Sequence, residues 1–519
     1  MRIGIYHGYE LVGSGSNEYT RYISRALALL GHEVHVFCRE PEPERIPHLS
    51  RAVAWDSVGA SQELFVRTLD STCVVHQLPH AEIRPVYLTD QSREGRVKPF
   101  TALSDAELDD FHSFSLATLK AALDAYPVDV LHANHLVYQP SVAVETGFPT
   151  VIFLHGSSIE YTVKRDERFL EAGRTALRQA AGVISGNREV LGRLMTLYPE
   201  ESELIAGKSA IVGVGVDTSL FQPVERRHRR LTLAQLQGTW GGRPPRLGAE
   251  LRQRLDEGDF SAVTEYRRVY EHTQPDADLV AHVARIPWDE GKILLFAGAL
   301  TAGKGLQSVI AAMPEVLRHH PDAHLVAVGA GAYREVLEAL VHALATGNQA
   351  LFDFLVDGGF DLDHSELSGR WEDVRGPFEP VPGLAEHVHF LGRLDHHLLR
   401  HVFPCADLTV FPSIIPEAYA LVLMESLSNG VLSLVSDFSG FRDALETLED
   451  LLGSELVDRM RLPVDPEVRV AGIATRIISM FEEPEPPAQG ARLRQIAVQH
   501  FDWNVRAQAL LQVYERFAG

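Results

Sequence analysis

The chain has 519 residues, 45% hydrophobic and 23% charged, with a formal net charge of −22, which is too long for one hydrophobic core and suits two domains of ordinary globular composition. The acidic balance argues against a general nucleic-acid binder, whose phosphate contacts want a basic surface, and the scattered Cys38, Cys73 and Cys405 form neither a disulfide framework nor a zinc cluster. No apolar run reaches the roughly 18–20 residues that span a bilayer, and Met1-Arg2 leads into an apolar strand with no signal-peptide pattern, so the expected location is cytoplasmic.

From the N-terminus, residues 3–7 read as a buried strand, followed by a Gly/Ser loop and a helix pattern over 17–30 that Gly31 stops. Residues 33–39 form the next strand. Short apolar runs at 129–132, 150–155, 182–185 and 210–214 then alternate with helix patterns, the mark of a parallel, doubly wound sheet. A second series starts at Lys292, with strands over 293–298, 324–328, 388–391, 408–411 and 432–435 and a helix over 306–319. The charged, helix-patterned stretch between the two series reads as an insertion, and 346–383 reads as another. A last helix pattern covers 505–517. The fold class is therefore α/β, with two Rossmann-like, doubly wound parallel-sheet domains and helical insertions, divided as 1–224, 225–290, 291–500 and 501–519. Within the first insertion, Arg226, Arg227, Arg229 and Arg230 predict a solvated, salt-bridged helix face, with a phosphate- or membrane-facing patch as the alternative.

The segment from Phe411 to Leu427 carries the densest chemistry. A strand ends at Phe411, a proline-bearing loop presents Glu417, and a helix beginning near Tyr419 holds Glu425 about two turns in. Carboxylates only accept hydrogen bonds, so they suit sugar and ribose hydroxyls. Backbone amides at Ala420 and Leu421 suit an anion such as a diphosphate.

The Glu417-x7-Glu425 segment resembles the E-x7-E signature of GT-B glycosyltransferases of the large retaining family 4. That resemblance implies two facing domains, the donor bound mainly by the second and the acceptor by the first. It implies that Glu417 contacts the donor sugar at its reacting end, that Tyr419, Ala420 and Leu421 line the donor, and that Glu425 holds the ribose hydroxyls. Ala418 and Ala420 stand where the family favours glycine. Gly298 to Gly305 resembles the family's G-R-x4-K-G, whose cations clamp the leaving diphosphate. Lys304 matches; Ala299 replaces the arginine, a charge-assisted contact of about 1.5–3 kcal/mol, and Arg393 is the candidate substitute. A solvated loop residue is the plain alternative for Lys304.

Gly13-Ser14-Gly15-Ser16 resembles the family's Gly-rich loop, which makes Gly15 and Ser16 donor-phosphate candidates. As a dinucleotide fingerprint it fails, because Glu18 takes the third glycine position. His155-Gly156 resembles the strand-end His-Gly whose imidazole faces the donor sugar. Gly215-Val216-Asp217 with Phe221 resembles the end of the family's first domain, and Phe501-Asp502-Trp503 precedes a helix that in the family crosses back onto it.

Asp276-x-Asp278 and Asp361-x-Asp363 spell the D-x-D of metal-dependent GT-A enzymes but lie in insertions, away from a strand end. His397 and His401 have a metal-compatible spacing that chance supplies among 24 histidines. No metal and no cofactor are expected. The implied function is metal-independent, retaining transfer of a sugar from a nucleotide-diphosphate donor to an unidentified acceptor (a saccharide, a lipid-linked molecule or a small molecule), with Glu417, Lys304 and His155 as catalytic residues. No nucleic-acid partner is expected, and nothing indicates membrane association. The alternatives are a phosphorylase or disaccharide synthase on the same fold, a non-catalytic sugar-nucleotide binder and a nicotinamide oxidoreductase.

Overall fold

In the computed structural model, which describes residues 1–86, 96–358, 371–374, 378–483 and 487–518, the chain divides into two units. The first comprises Met1–Gly215, Ala418–Leu421 and His500–Gly519; the second comprises Val216–Glu417 and Val422–Gln499.

The first unit is built on a nine-stranded sheet in the order Ser209–Ile211, Gly182–Ser185, Thr150–Leu154, Val130–Asn134, Arg2–Tyr6, Glu33–Cys38, Cys73–Gln77, Arg51–Trp55, Ser61–Val66. Neighbours are parallel except the last pair, which is antiparallel. That edge hairpin carries no strand signal in the sequence: Ser61–Val66 is almost wholly exposed and carries Gln62 and Glu63, so it lacks an apolar run, and its polar side chains discourage pairing with another chain. The central strands Val130–Asn134 and Thr150–Leu154 are buried at every residue, which explains why apolar residues occupy both faces, with His132 and Asn134 as buried polar exceptions. Side chains alternate between two cores: Val151 and Phe153 join Ile3, Ile5 and Val34, whereas Ile152 and Leu154 join Tyr6 and Phe37.

Helix Gly15–Leu29 starts with Ser14 as N-cap, whose side chain accepts from Asn17 N, and it buries Tyr19, Tyr22, Ile23, Ala26 and Leu27 at helical spacing. Helix Trp503–Ala518 packs beside it: the Trp503 ring stacks on Tyr22 with centroids 6.0 Å apart, and Tyr514 is fully buried.

The second unit has a six-stranded sheet in the order Val388–Phe390, Ala323–Val328, Lys292–Ala297, Leu408–Phe411, Ser433–Ser436, Arg461–Leu462, with every pairing parallel. Helix Leu306–His319 has the bounds its periodicity predicts. The 225–290 stretch groups with this unit and contains helices Arg229–Leu233, Pro245–Asp256, Ala262–Glu265 and Leu279–Arg285.

The arginine cluster departs in part from its predicted solvated face. Arg227 is exposed and pairs with Glu225, and Arg230 pairs with Asp289 at 2.7 Å. Arg229, by contrast, is buried, with Nη2 2.7 Å from Asp407 Oδ1, and Arg226 Nη1 is 3.0 Å from the same oxygen. Asp407 Oδ2 also accepts from Ile293 N at 2.8 Å. Two arginines of one basic run thus clamp the insertion to the start of the sheet, a role that charge spacing alone does not reveal.

Candidate active site

In an open parallel sheet, the point where strand order reverses leaves a crevice at the C-terminal strand ends. In the second sheet the reversal falls between Lys292–Ala297 and Leu408–Phe411, which pair directly. The loop after the first strand carries Lys304 and the loop after the second carries Glu417. Ile414 N donates to Gly303 O at 2.8 Å, joining the loops. Gly305 has φ +74°, and a Cβ there would meet Pro412 O at 2.1 Å, so glycine is required for this approach.

Within that frame Lys304 Nζ lies 2.5 Å from Glu417 Oε1. The Ser413 hydroxyl donates to the same carboxylate oxygen. The Glu417 carbonyl accepts from Gly440 N at 3.0 Å and from Ser439 Oγ at 3.1 Å. The carboxylate is therefore held through both its side chain and its backbone.

Glu425 lies on helix Leu421–Ser428 and is buried, with Oε1 3.3 Å from His396 Nε2. His396 opens helix His396–Val402, and nothing in its local sequence marks it as a partner of Glu425. Arg393 is half-buried; its backbone N donates to Gln274 O at 3.3 Å, and among the described residues its guanidinium forms no ion pair with Glu417 or Glu425.

In the first sheet the reversal falls between Arg2–Tyr6 and Val130–Asn134. The loop leaving Arg2–Tyr6 runs to Gly15 and Ser16, the first two residues of helix Gly15–Leu29. Ser16 Oγ is 3.1 Å from Ser14 Oγ, and Gly13 N donates to Glu18 Oε1 at 3.3 Å, so the loop folds on its own side chains. His155 follows the neighbouring strand Thr150–Leu154 and is 2% exposed. Its ring is bonded to Asn134 Oδ1 at 2.9 Å. Burial, with His135, His7 and His132 alongside, holds the imidazole well below its usual titration range. It is neutral at physiological pH.

Residues 418–421 group with this unit. The Tyr419 hydroxyl donates to Leu154 O, and its ring stands edge-on to His155 at 5.6 Å and 89°. Ala418 O accepts from Asn187 Nδ2 at 2.5 Å. A Cβ added at Gly156 would sit 2.9 Å from the Ala418 methyl, so the glycine after His155 makes room for the alanine that replaces the family glycine. The amides of Ala420 and Leu421 have no hydrogen-bond acceptor among the described residues.

The D-x-D candidates part ways. Asp276 pairs with buried Arg334 at 2.8 Å, a structural role, while Asp361 and Asp363 lie outside the described residues. His397 is exposed and His401 buried, with His401 Nε2 accepting from Arg400 Nε at 3.2 Å.

Comparison with known proteins agrees with this architecture. A family model described as "Glycosyl transferase 4-like domain" matches residues 14–204, and one described as "Glycosyl transferases group 1" matches residues 282–359 and 382–491. Among curated proteins, the phosphatidyl-myo-inositol mannosyltransferase of Mycobacterium tuberculosis is 27% identical over 248 residues, covering 47% of this chain and 53% of that protein. The glycogen synthase of the same species is 27% identical over 240 residues, covering 46% of each. These matches span about half the length of the relatives. Among solved structures, sucrose-phosphate synthase from Thermosynechococcus elongatus aligns over 99% of this chain and 98% of that one, with TM-score 0.55 and 19% identity. Anabaena HepE, in complex with UDP and glucose, aligns over 99% and 100% with TM-score 0.54 and 15% identity. The catalytic domain of Arabidopsis thaliana starch synthase IV, bound to ADP and acarbose, aligns over 100% and 99% with TM-score 0.57 and 12% identity. These likenesses show the GT-B fold.

Proposed function

This chain belongs to the group 1, family 4-like glycosyltransferases, and from that premise we propose that it transfers a sugar, with retained configuration, from a nucleotide-diphosphate donor to an acceptor hydroxyl. The observation that carries the reading is the Lys304–Glu417 pair, 2.5 Å apart at the switch point of the second sheet. A fixed cation and a fixed carboxylate at one strand edge suit a diphosphate joined to a sugar.

On binding, the diphosphate takes Lys304 from Glu417, and the freed carboxylate accepts from sugar hydroxyls. Glu425 accepts from the ribose hydroxyls. The unbonded amides of Ala420 and Leu421, with Arg393, Gly15 and Ser16, add donors for phosphate oxygens. As the glycosidic bond breaks, negative charge grows on the leaving diphosphate, and these groups stabilise it more than they stabilise the ground state. His155, neutral, orients the sugar. The acceptor hydroxyl attacks from the face the diphosphate leaves and passes its proton to the departing phosphate oxygen, so the configuration is kept. The chemistry assigned to these residues requires neither metal nor cofactor.

A second reading is a sugar-nucleotide binder without turnover. It is favoured by Ala299, which removes one cation, and by Glu417, which neutralises the remaining one. A thermal-shift screen of uridine, adenosine and guanosine diphosphates and their sugars tests the donor class, because a ligand of the folded state raises the melting temperature. Release of nucleoside diphosphate from the stabilising sugar nucleotide then separates transferase from binder. Absence of any shift across the panel would overturn both readings.

A further inference from the structure

At the switch point of the first sheet, one asparagine holds together a network of buried polar side chains. Asn134 ends strand Val130–Asn134 and is fully buried. Its Nδ2 is 3.0 Å from Thr20 Oγ1 and 3.3 Å from His7 Nδ1. Its Oδ1 is 2.9 Å from His155 Nε2 and 3.2 Å from His132 Nε2.

The hydrogen inventory permits one assignment. Thr20 has a single hydroxyl hydrogen, and it goes to Ser16 O at 2.9 Å. The Asn134 atom facing Thr20 must therefore be the amide nitrogen, which donates. The carboxamide oxygen then faces both His155 and His132, so each must carry its proton on Nε2. Three further bonds agree. His132 Nδ1, left bare, accepts from the Tyr514 hydroxyl at 2.7 Å. His7 Nδ1 accepts from Asn134, so His7 Nε2 donates to Asn17 Oδ1 at 3.0 Å, and Asn17 Nδ2 donates to Val12 O at 2.8 Å.

We propose that Asn134 is a positioning residue that fixes His155 as its Nε2–H tautomer and leaves Nδ1 as a hydrogen-bond acceptor for a hydroxyl of the bound sugar. The inference rests on the function proposed above and narrows it: His155 acts as a neutral acceptor and neither gives a proton to the leaving group nor carries positive charge. Nδ1 has no protein partner among the described residues, so the lone pair is available. The network also reaches the phosphate-side loop through Ser16 O and Val12 O, coupling the loop's shape to the orientation of the imidazole.

The groups around the ring favour neutrality. His7, His132 and His135 are buried beside it and each is held below its ordinary titration range. Tyr19 and Tyr419 present their rings edge-on. A cation added here would lack any carboxylate among these neighbours.

The test reads the tautomer directly. In 15N-histidine-labelled full-length protein, with His155 assigned by His155→Gln, the side-chain 15N–1H spectrum without substrate should show the proton on Nε2 in the wild type. Asn134→Ala should lose that single-tautomer signature and lower kcat for nucleotide-sugar turnover at least about tenfold, with donor KM moving less than about threefold. Asn134→Asp keeps an acceptor but adds a negative charge, so kcat should gain a dependence on pH between about 5 and 8 that the wild type lacks. A wild-type His155 protonated on Nδ1, or an Asn134→Ala protein that keeps both tautomer and kcat, overturns the proposal. If Asn134→Ala does not fold, the wild-type spectrum and the Asn134→Asp profile decide. Because the spectrum needs no ligand, its outcome stands apart from the donor screen: loss of the transferase reading would leave the tautomer assignment intact, and the reverse.

Discussion

Lys304 Nζ and Glu417 Oε1 lie 2.5 Å apart on loops that leave adjacent strands of the second sheet. Each group is the other's counter-charge, so in the proposed function donor binding exchanges this ion pair for a lysine–phosphate contact and carboxylate–hydroxyl hydrogen bonds. Their substitutions should therefore act as a unit. Lys304→Ala and Glu417→Ala are each expected to cut turnover at least about tenfold, the scale of one lost 1.4 kcal/mol contact. The double variant should lose less than the product of the two. Steady-state release of nucleoside diphosphate measures this, and wild-type rates in both single variants would remove the pair from the mechanism.

The loop contact beneath that pair depends on Gly305. Gly305→Ala places a methyl 2.1 Å from Pro412 O at φ +74°, combining a steric clash with left-handed strain. Gly31→Ala is the matched control: its φ is +87° and nothing lies within 4 Å, so it should cost only the backbone term of about 1–2 kcal/mol. Thermal melts should rank wild type above Gly31→Ala above Gly305→Ala, and only the last should lose donor-induced stabilisation.

The buried clamp at Asp407 predicts a contrast between neighbours in sequence. Arg229→Ala removes a buried guanidinium and leaves Asp407 with only Arg226 and the Ile293 amide, so it is expected to destabilise the second unit by about 1–3 kcal/mol. Arg227→Ala removes an exposed ion pair and should melt like the wild type. Equal melting of the two variants would contradict the burial argument.

Acid should weaken the folded chain over a defined window. Burial holds His7 and His132 down to about 4, whereas in the unfolded chain they protonate near 6.5. Below about pH 6.5 the unfolded state binds more protons, so stability falls as pH falls, and the loss is complete near pH 4, where the folded groups also protonate. Each unit of depression corresponds to about 1.4 kcal/mol. Urea midpoints should be flat above about pH 7 and decline through pH 6 and 5; a midpoint independent of pH over that range would place these imidazoles elsewhere.

What the sequence made legible follows from how local each signal is. Helix Leu306–His319 and the strand-loop-helix order around Glu417 are encoded by contiguous periodicity and loop chemistry and could be read directly, although the second helix begins at Leu421, two residues later than expected, which puts Glu425 about one turn in. The edge strand Ser61–Val66 could not, because an exposed strand carries no apolar alternation. Arg229 looks like its neighbours until the fold buries it. Asn134 and His396 act through partners 21 and 29 residues or more away in sequence, Asn134 with His155 and His396 with Glu425, and no spacing rule links such residues. The room made for Ala418 by Gly156 is likewise a tertiary fact.

Helix Trp503–Ala518 supplies Trp503 and Tyr514 to the core of a unit whose sheet strands all precede residue 216. Synthesis and completion therefore run in different orders. While the second unit is being translated, the nascent first unit lacks the indole that stacks on Tyr22 and the hydroxyl that donates to His132 Nδ1. The core of the first unit is thus completed only after the second unit has been translated; a ribosome stalled before Trp503 would hold an amino-terminal half without that helix, which chaperones or proteases can engage.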